Sequence, residues 1–426
     1  MRIGITRSAS DDSNGGIFHY EIVLLKALSE IAPRFSEEIV YLTYHPSDLI
    51  TLASAGGMNY RGLEILPINK PSTQQGTPET YIRQAPSTAP TFDPKAVKFD
   101  HAGSNLLRKA GIDLLFPLSP TLHAFAFQLP FIIPIFDLNH RLQPEFREVS
   151  AFGEALNRDH LYINSCRFAT FVLAESEVGK ADVLRFYGDY IDEDRIRILP
   201  LHPPIDGKAP PDPQELTRVR AKYALPERYF FYPAQFWSHK NHALILHAIK
   251  LIADETGEVV PVVFCGAYSD YLRALNFKEV VALAMKLGIA DRVRYLGRTP
   301  DEDMAALYTL SIGLVMPTFF GPTNIPPLEA WHFGRPVITS DIRGMREQIG
   351  DAGLLIDPRS PQALAAAMKQ LWQDEALCAE LAERGRKRLA TYSWSSFVES
   401  VAAILTESCE RVRSGRTPSY SGFNPV

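Results

Sequence analysis

Cysteine is scarce in this chain and is never paired by spacing. The four residues, Cys166, Cys265, Cys378 and Cys409, lie far apart with no CxxC among them, which excludes a zinc ribbon or a disulfide framework and fits a reducing compartment. Long apolar runs are missing as well. The longest candidate, LPFIIPIF (129–136), is of strand length and carries two prolines, well short of the ~20 residues that a spanning helix needs. The N-terminus opens on RIGIT without an apolar stretch leading to a small-residue cleavage site, so no secretory leader is expected and the chain is read as cytoplasmic. Nor does charge of one sign dominate: 44 Lys and Arg stand against 49 Asp and Glu, a net charge of −5. With no global basic field, nucleic acid is not an expected partner. No 20–50-residue repeat, the mark of a solenoid, is visible.

What is present is length and apolar content. At 426 residues and 46% hydrophobic, the chain exceeds one ordinary core, and two domains are expected. Short β-rich runs alternate with amphipathic stretches, the pattern of parallel sheets crossed by helices. In the first half the strand candidates are 2–6, 38–44, 113–118, 131–137, 171–176 and 195–201, with helices over 17–31 and 177–187. Between 69 and 95 the composition turns to Pro, Thr, Gln and Ser, which reads as a loop, either functional or disordered. The stretch LPLHPPIDGKAPPDP (199–213) holds six prolines and is the best boundary, giving domains over 1–205 and 206–394. A second series then begins, with strands at 229–234, 260–266, 293–297, 313–318, 336–340 and 353–357 and helices including 243–253, 301–310 and 361–372. Each half is long enough for a doubly wound sheet, which binds ligands beyond the carboxyl ends of its strands, and two such sheets facing each other would enclose a cleft.

The densest chemistry lies in PTFFGPTNIPPLEAWHFGRPVITS (317–340). It reads as a strand end, a turn, a helix starting near Pro326 or Pro327, and a further strand; proline suits a first helical turn, where the N–H has no intrahelical partner. Free N–H groups around Asn324 and Ile325, with the positive helix end, offer a site for a diphosphate or for sugar hydroxyls, and Glu329 one turn on could accept from a ribose. The plain alternative is a capped core helix with Glu329 solvated. Gly15-Gly16, opening a helix after the first strand, allows close backbone approach to a phosphate or sugar, though a bare turn explains it equally.

The segment IPPLEA (325–330), followed by Gly334 and Pro336-Val337, resembles the family 4 glycosyltransferases of the GT-B fold, group 1 glycosyl transferases, whose motif runs E-G-F-G-L-P-P-L-E-A-M-A-x-G-x-P-V. The resemblance implies an α/β architecture of two Rossmann-like doubly wound parallel-sheet domains facing a central cleft. The C-terminal one would bind a nucleotide sugar and the N-terminal one the acceptor. It gives Glu329 the ribose, and it places Gly321 where the family has its first Glu, leaving that contact to Thr323, Asn324 or backbone amides. FYPAQFWSHKNHALILHA (231–248) is similar to the family's diphosphate-binding loop, with Lys240 matching its Lys and Gln235 standing for its Arg. VVFCGA (262–267), ending on Gly266, and VRYLGR (293–298), ending on Arg298, match further stretches, the second being where the base is held.

In the first half IPIFDLNHRLQPEF (133–146) resembles H-D-L-x-H-x-x-x-P-E-F, with Phe136 replacing the first His and Asp137 and His140 retained. Those two would meet the acceptor or donor sugar as catalytic residues beside Lys240; a loop-bracing role for His140 remains the alternative. Ser176 and Glu177 would shape the acceptor side. The closing segment from YSW (392–394) resembles a helix, about 395–426, that returns to the first domain.

The activity so implied is retaining transfer of a hexose from a nucleotide diphosphate sugar to a glycan or lipid-linked acceptor in polysaccharide or lipopolysaccharide synthesis. GDP-mannose is the leading donor and UDP-sugars remain open. Departing charge would be met by Lys240, Gln235, Gly15-Gly16 and residues 323–325. No cofactor or metal is expected, since Asp11-Asp12 in its Ser-rich loop is no DxD site. Arg384, Arg386, Lys387 and Arg388 suggest peripheral membrane contact at the inner face, against the plainer reading of a solvated helix face. An epimerase or hydrolase on the same frame, or a glycan-binding protein with a degenerate donor site, are the other readings.

Overall fold

A computed structural model describes residues 1–7, 15–43, 64–67, 95–205 and 209–421. Asp11-Asp12, the composition-biased loop up to residue 94, and positions 206–208 of the proline-rich boundary lie outside the described residues. Contacts divide the chain into two units: Met1–Glu145 with Val149–Pro200 and Ser395–Val426, and Phe146–Glu148 with Leu201–Trp394.

The first unit carries β1 (Arg2–Thr6), β2 (Glu38–Thr43), β3 (Glu64–Pro67) and β4 (Leu114–Pro117) in the order β3-β2-β1-β4, then β5 (Ile132–Pro134), β6 (Phe171–Ala174) and β7 (Ile196–Ile198) in the order β5-β6-β7. All pairings are parallel. Among the described residues one bridge, Leu115 to Phe131, sets the two groups side by side in the order β3-β2-β1-β4-β5-β6-β7 of the doubly wound sheet expected, with the ladder interrupted between β4 and β5. Proline explains the break. Leu115 N–H donates to Pro130 O at 2.9 Å, but Pro117 and Pro134 have no N–H with which to extend the β4–β5 ladder. β3 is the strand that the sequence pattern does not separate.

The helix Trp394–Arg413 buries Phe397, Val401, Ile404 and Leu405 on one stripe. From Ser395 onward it groups with the first unit, where Glu407 pairs with Arg197 and Arg411 lies 2.7 Å from Asp194. Beyond it Tyr420 stacks on Phe168, ring centroids 4.6 Å apart, and donates to Leu129 O at 3.1 Å. Tyr420 is thus held by aromatic packing and the helix before it by ion pairs as well.

The second unit holds one parallel sheet: β8 (Phe230–Pro233), β9 (Val262–Cys265), β10 (Val293–Tyr295), β11 (Gly313–Met316), β12 (Val337–Ser340) and β13 (Leu354–Ile356), in the order β10-β9-β8-β11-β12-β13. Each strand lies inside a span that the sequence pattern predicts. Phe230, Phe231, Val262, Val263, Leu314, Val315, Val337 and Ile338 are all fully buried, as strands covered by helices on both faces must be. Helices begin at side-chain caps: Asp212, Asp270, Ser360 and Asp374 each accept from an amide three residues on, supplying a partner that the first helical turn lacks. The strand order reverses between β8 and β11. That reversal is where a doubly wound sheet opens a crevice beyond its carboxyl ends.

Candidate functional site

The loops that leave β8 and β11 meet at this reversal. After β8 the chain makes one 3₁₀ turn, Ser238–Lys240, and enters the helix His242–Thr256 through Asn241, whose φ of 58° and ψ of 39° are left-handed. Asn tolerates that conformation better than most residues. Its side-chain amide donates to Pro317 O at 3.0 Å and Pro358 O at 2.8 Å, tying the loops after β8, β11 and β13 together. Phe319 N–H donates to His239 O at 2.8 Å, and Tyr232 OH, from β8, donates to Lys240 O at 2.9 Å. Lys240 thus sits half-buried on a braced turn. Glu148 reinforces it, accepting from His239 N–H at 2.9 Å and lying 2.6 Å from His239 Nδ1. Burial raises the Glu148 carboxyl, but the hydrogen bonds and charge of His239 outweigh it and hold it below the usual carboxylate range.

The second loop carries Gly321, Thr323 and Asn324 to the helix Ile325–His332, with Ile325 its first residue and proline in the first turn. Here one expectation is corrected. The Asn324 amide is not free for a ligand: it donates to Gln348 Oε1 at 2.9 Å, while Gln348 Nε2 donates to Asn324 O at 2.7 Å. Asn324 and Gln348 are both buried, so the side-chain amide of Gln348 satisfies two backbone groups that water cannot reach. Thr323 and Ile325 are partly exposed. Glu329, one turn in and partly exposed, accepts from Tyr308 OH at 2.8 Å. Burial, then the Glu329 charge, raises the Tyr308 phenol well above its ordinary value, so it remains a donor to that carboxylate.

Toward the other edge, β8, β9 and β10 end close together. Gly266 N–H donates to Gly297 O at 2.8 Å, and a Cβ at Gly266 would lie 2.1 Å from Ala234 O, so only glycine fits this approach. Gln235 is partly exposed and its Oε1 accepts from Trp237 Nε1 at 2.9 Å. Arg298 follows Gly297 and is exposed. The second unit therefore brings Gln235, Lys240, Gly266, Arg298, Thr323, Ile325 and Glu329 to the carboxyl edge of one sheet.

The remaining predicted residues belong to the first unit. Gly15, with φ 57°, caps the helix Gly16–Ile31, and around Gly16 the space where a Cβ would stand is open. Asp137 Oδ1 accepts from Asn139 N–H and from Arg158 Nη1, both at 2.9 Å. It braces its own turn after β5. The side chain of His140 is wholly buried, with Nε2 3.1 Å from Asp159 Oδ1 and 2.9 Å from Tyr187 OH. In this arrangement Nε2 is engaged within the first unit, as the loop-bracing alternative has it, rather than presented to a ligand. Ser176 caps the helix Glu177–Tyr187 through a 3.1 Å bond from Gly179 N–H, and Glu177 is exposed at its start.

Among the described residues no group of three His, Cys, Asp or Glu side chains is placed to hold a metal ion, and no helix is long and apolar enough to cross a membrane. Burial pushes the Cys265 thiol, beside the site, up to about 11, which keeps it protonated and a poor nucleophile. The sequence reading missed Asn241 and Gln348. Asn before a helix gives a faint local signal for the first; nothing near Gln348 marks the second.

Residues 215–388 match the family model of the glycosyl transferases group 1. The O-antigen chain mannosyltransferase B of Escherichia coli is 29% identical over 278 residues, covering 62% of this chain and 70% of that protein. The serotype-specific mannosyltransferase WbdA of Escherichia coli is 25% identical over 287 residues, 66% of this chain but only 33% of WbdA, so the match spans about a third of that relative's length. Among solved structures, Anabaena HepE in complex with UDP and glucose superposes with a TM-score of 0.68 at 15% identity, covering 96% of this chain and 100% of HepE. The doubly wound sheet with its braced lysine turn and the matching family model mark residues 215–388 as a group 1 glycosyl transferase domain, and the chain shares its fold with GT-B glycosyltransferases.

Proposed function

We propose that the chain transfers a hexose, with retention of configuration, from a nucleoside diphosphate sugar to a hydroxyl of a growing glycan or lipid-linked saccharide, without a metal or cofactor. GDP-mannose is the donor we favour, because the E. coli relatives are named as mannosyltransferases; UDP in the HepE complex keeps UDP-sugars as the alternative. The observation that carries the reading is the junction of the two loops at the strand reversal, where Phe319 N–H meets His239 O at 2.8 Å. It brings the turn bearing Lys240 beside the helix that bears Glu329. Lys240 would meet the charge that develops on the departing diphosphate, and Glu329 would accept from the ribose. In this reading the acceptor hydroxyl attacks from the face that the diphosphate leaves and passes its proton to the donor phosphate.

The test is a thermal-shift screen across GDP, UDP, ADP and TDP, followed by transfer from the labelled sugar of the stabilising nucleotide. Binding to the native state raises its stability by mass action. GDP stabilisation with transfer of labelled mannose supports the reading. Stabilisation by UDP alone moves the donor to a UDP-sugar, and release of free sugar without transfer identifies a hydrolase.

A further inference from the structure

The motif stretch 133–146 ends on Phe146, and Phe146–Glu148 group with the second unit rather than the first. There they meet the residue immediately before Lys240. Glu148, its side chain 6% exposed, presents one oxygen, Oε1, to two groups of His239: the backbone N–H at 2.9 Å and Nδ1 at 2.6 Å. Phe146 closes on the same place, its ring centroid 6.1 Å from that of His239 and 5.5 Å from that of Phe319. The peptide joining His239 to Lys240 is held at both of its polar groups, since its carbonyl accepts from Phe319 N–H at 2.8 Å and its N–H donates to Trp237 O at 3.0 Å. With Glu148 fixing the peptide before it, the direction in which the Lys240 side chain leaves the turn is set. Stability alone does not account for the arrangement. Burying a carboxylate costs desolvation that the attraction of its partner offsets only in part. The segment's other ion pair, Arg147 with Glu279 at 3.1 Å, is more than half exposed on both sides and contributes little. What the contact does secure is aim: a lysine ammonium rides on a flexible four-carbon stem, and a small misplacement of a catalytic group costs rate and affinity steeply.

We propose that Glu148 is a positioning residue for Lys240, holding the turn through His239 so that the ammonium meets the diphosphate of the donor. The proposal rests on the donor-site reading above. Glu148 acts through the geometry of two hydrogen bonds on one oxygen. A neutral amide of the same length therefore serves in its place, and a shorter carboxylate does not.

The experiment is calorimetric titration of the full chain with GDP, UDP and inorganic pyrophosphate, using Glu148→Asp, Glu148→Gln, Lys240→Ala and the double variant of Glu148→Asp with Lys240→Ala. Glu148→Asp, drawn back by one methylene, should weaken pyrophosphate and whichever nucleotide binds by about five- to tenfold. Glu148→Gln, whose amide oxygen still accepts from both N–H groups, should bind within about twofold of the wild type. On top of Lys240→Ala, Glu148→Asp should weaken the nucleotide no further, whereas a substitution that merely loosened the unit would add its cost in both backgrounds. Wild-type affinity in Glu148→Asp, a loss in Glu148→Gln as large as that in Glu148→Asp, or an additive loss in the double variant overturns the positioning role. Each of these leaves the donor site standing as long as Lys240→Ala itself loses pyrophosphate. A Lys240→Ala protein that binds all three ligands as the wild type does, or a wild type that binds none of them, takes down the donor-site reading and the positioning role together.

Discussion

A Cβ at Gly321 would lie 2.3 Å from Asn324 Nδ2, so a side chain at 321 and the Asn324 amide compete for one volume. Gly321 also holds φ 135°, where side chains are disfavoured. The family motif that this segment resembles has Glu where Gly321 stands and Gly where Asn324 stands. The two differences are one steric exchange. Gly321→Glu alone should lower the melting temperature, and adding Asn324→Gly should recover part of the loss, with a coupling of about 1 kcal/mol or more for residues in contact. Equal cost in both backgrounds would leave only the backbone strain at 321 as the cause.

Gln348 satisfies both backbone groups of Asn324, and Arg388 Nε in turn donates to Gln348 O at 2.6 Å. Gln348→Leu should destabilise the second unit by about 2–4 kcal/mol, because two buried backbone groups lose their partners. Gln348→Glu keeps an acceptor for the N–H but turns a carboxylate on the Asn324 carbonyl, so it should rescue little. Chemical denaturation of the three proteins measures the difference.

Tyr308 reaches Glu329 from inside the core and its hydrogen bond fixes one carboxylate oxygen; in the proposed donor site the other would accept from the ribose. Tyr308→Phe should raise the donor KM several-fold with kcat nearly unaltered, since the bond acts alike on ground and transition states. In a Glu329→Gln background, or with a 2′-deoxyribonucleotide donor that removes the ribose contact, the substitution should have little further effect. A KM change that persists in both would make Tyr308 a packing residue only.

Lys240 is expected to act on the departing diphosphate, and its loss should appear in kcat. Lys240→Ala should lower kcat by about 10²–10³, the usual cost of removing one such electrostatic contact, and Lys240→Arg should restore part of it by returning the charge. Turnover of labelled donor at saturation checks this. Full turnover in Lys240→Ala would refute the assignment.

The six strands of the second unit are legible because parallel strands covered on both faces read as short apolar runs such as VVFC and GLVM, whatever the helices between them do. The break between β4 and β5 is harder to read. The pattern registers apolar side chains, whereas the ladder fails for want of N–H groups at Pro117 and Pro134. At the site, Lys240 and Glu329 are marked by the resemblance to the family's motifs, whereas strand–loop–helix context alone fits solvated side chains; that their loops leave the sheet where the order reverses is seen only in the structure. His140 shows the limit of that logic. Its place after β5 is what a catalytic histidine would have, yet the ring turns toward Asp159 and Tyr187, 19 and 47 residues away, and no local spacing encodes such a choice. The Gln348–Asn324 clamp joins residues 24 apart and is invisible for the same reason.

His242 opens the helix after the lysine turn with its ring against Phe236, centroids 4.3 Å apart and 16° between planes. Burial pushes this imidazole down to about 3, against about 6.5 in an unfolded chain. Between those values the unfolded state binds a proton that the folded state does not, so stability from this residue is complete above about pH 6.5 and falls as pH drops toward 3. The slope in that window reaches ~1.4 kcal/mol per pH unit for one proton. Carboxylates paired in the native state, such as Asp303 with Lys222 and Arg218, add their own acid sensitivity at lower pH, so the comparison must be with a variant. His242→Phe keeps a ring against Phe236 and removes the titrating group. The stability difference, variant minus wild type, should therefore grow in the variant's favour as pH falls from about 7 to about 4, measured by denaturant unfolding at each pH. A difference that stays flat over that range would mean that the imidazole takes up its proton in the folded state, and that the buried stack on Phe236 does not exclude the charge.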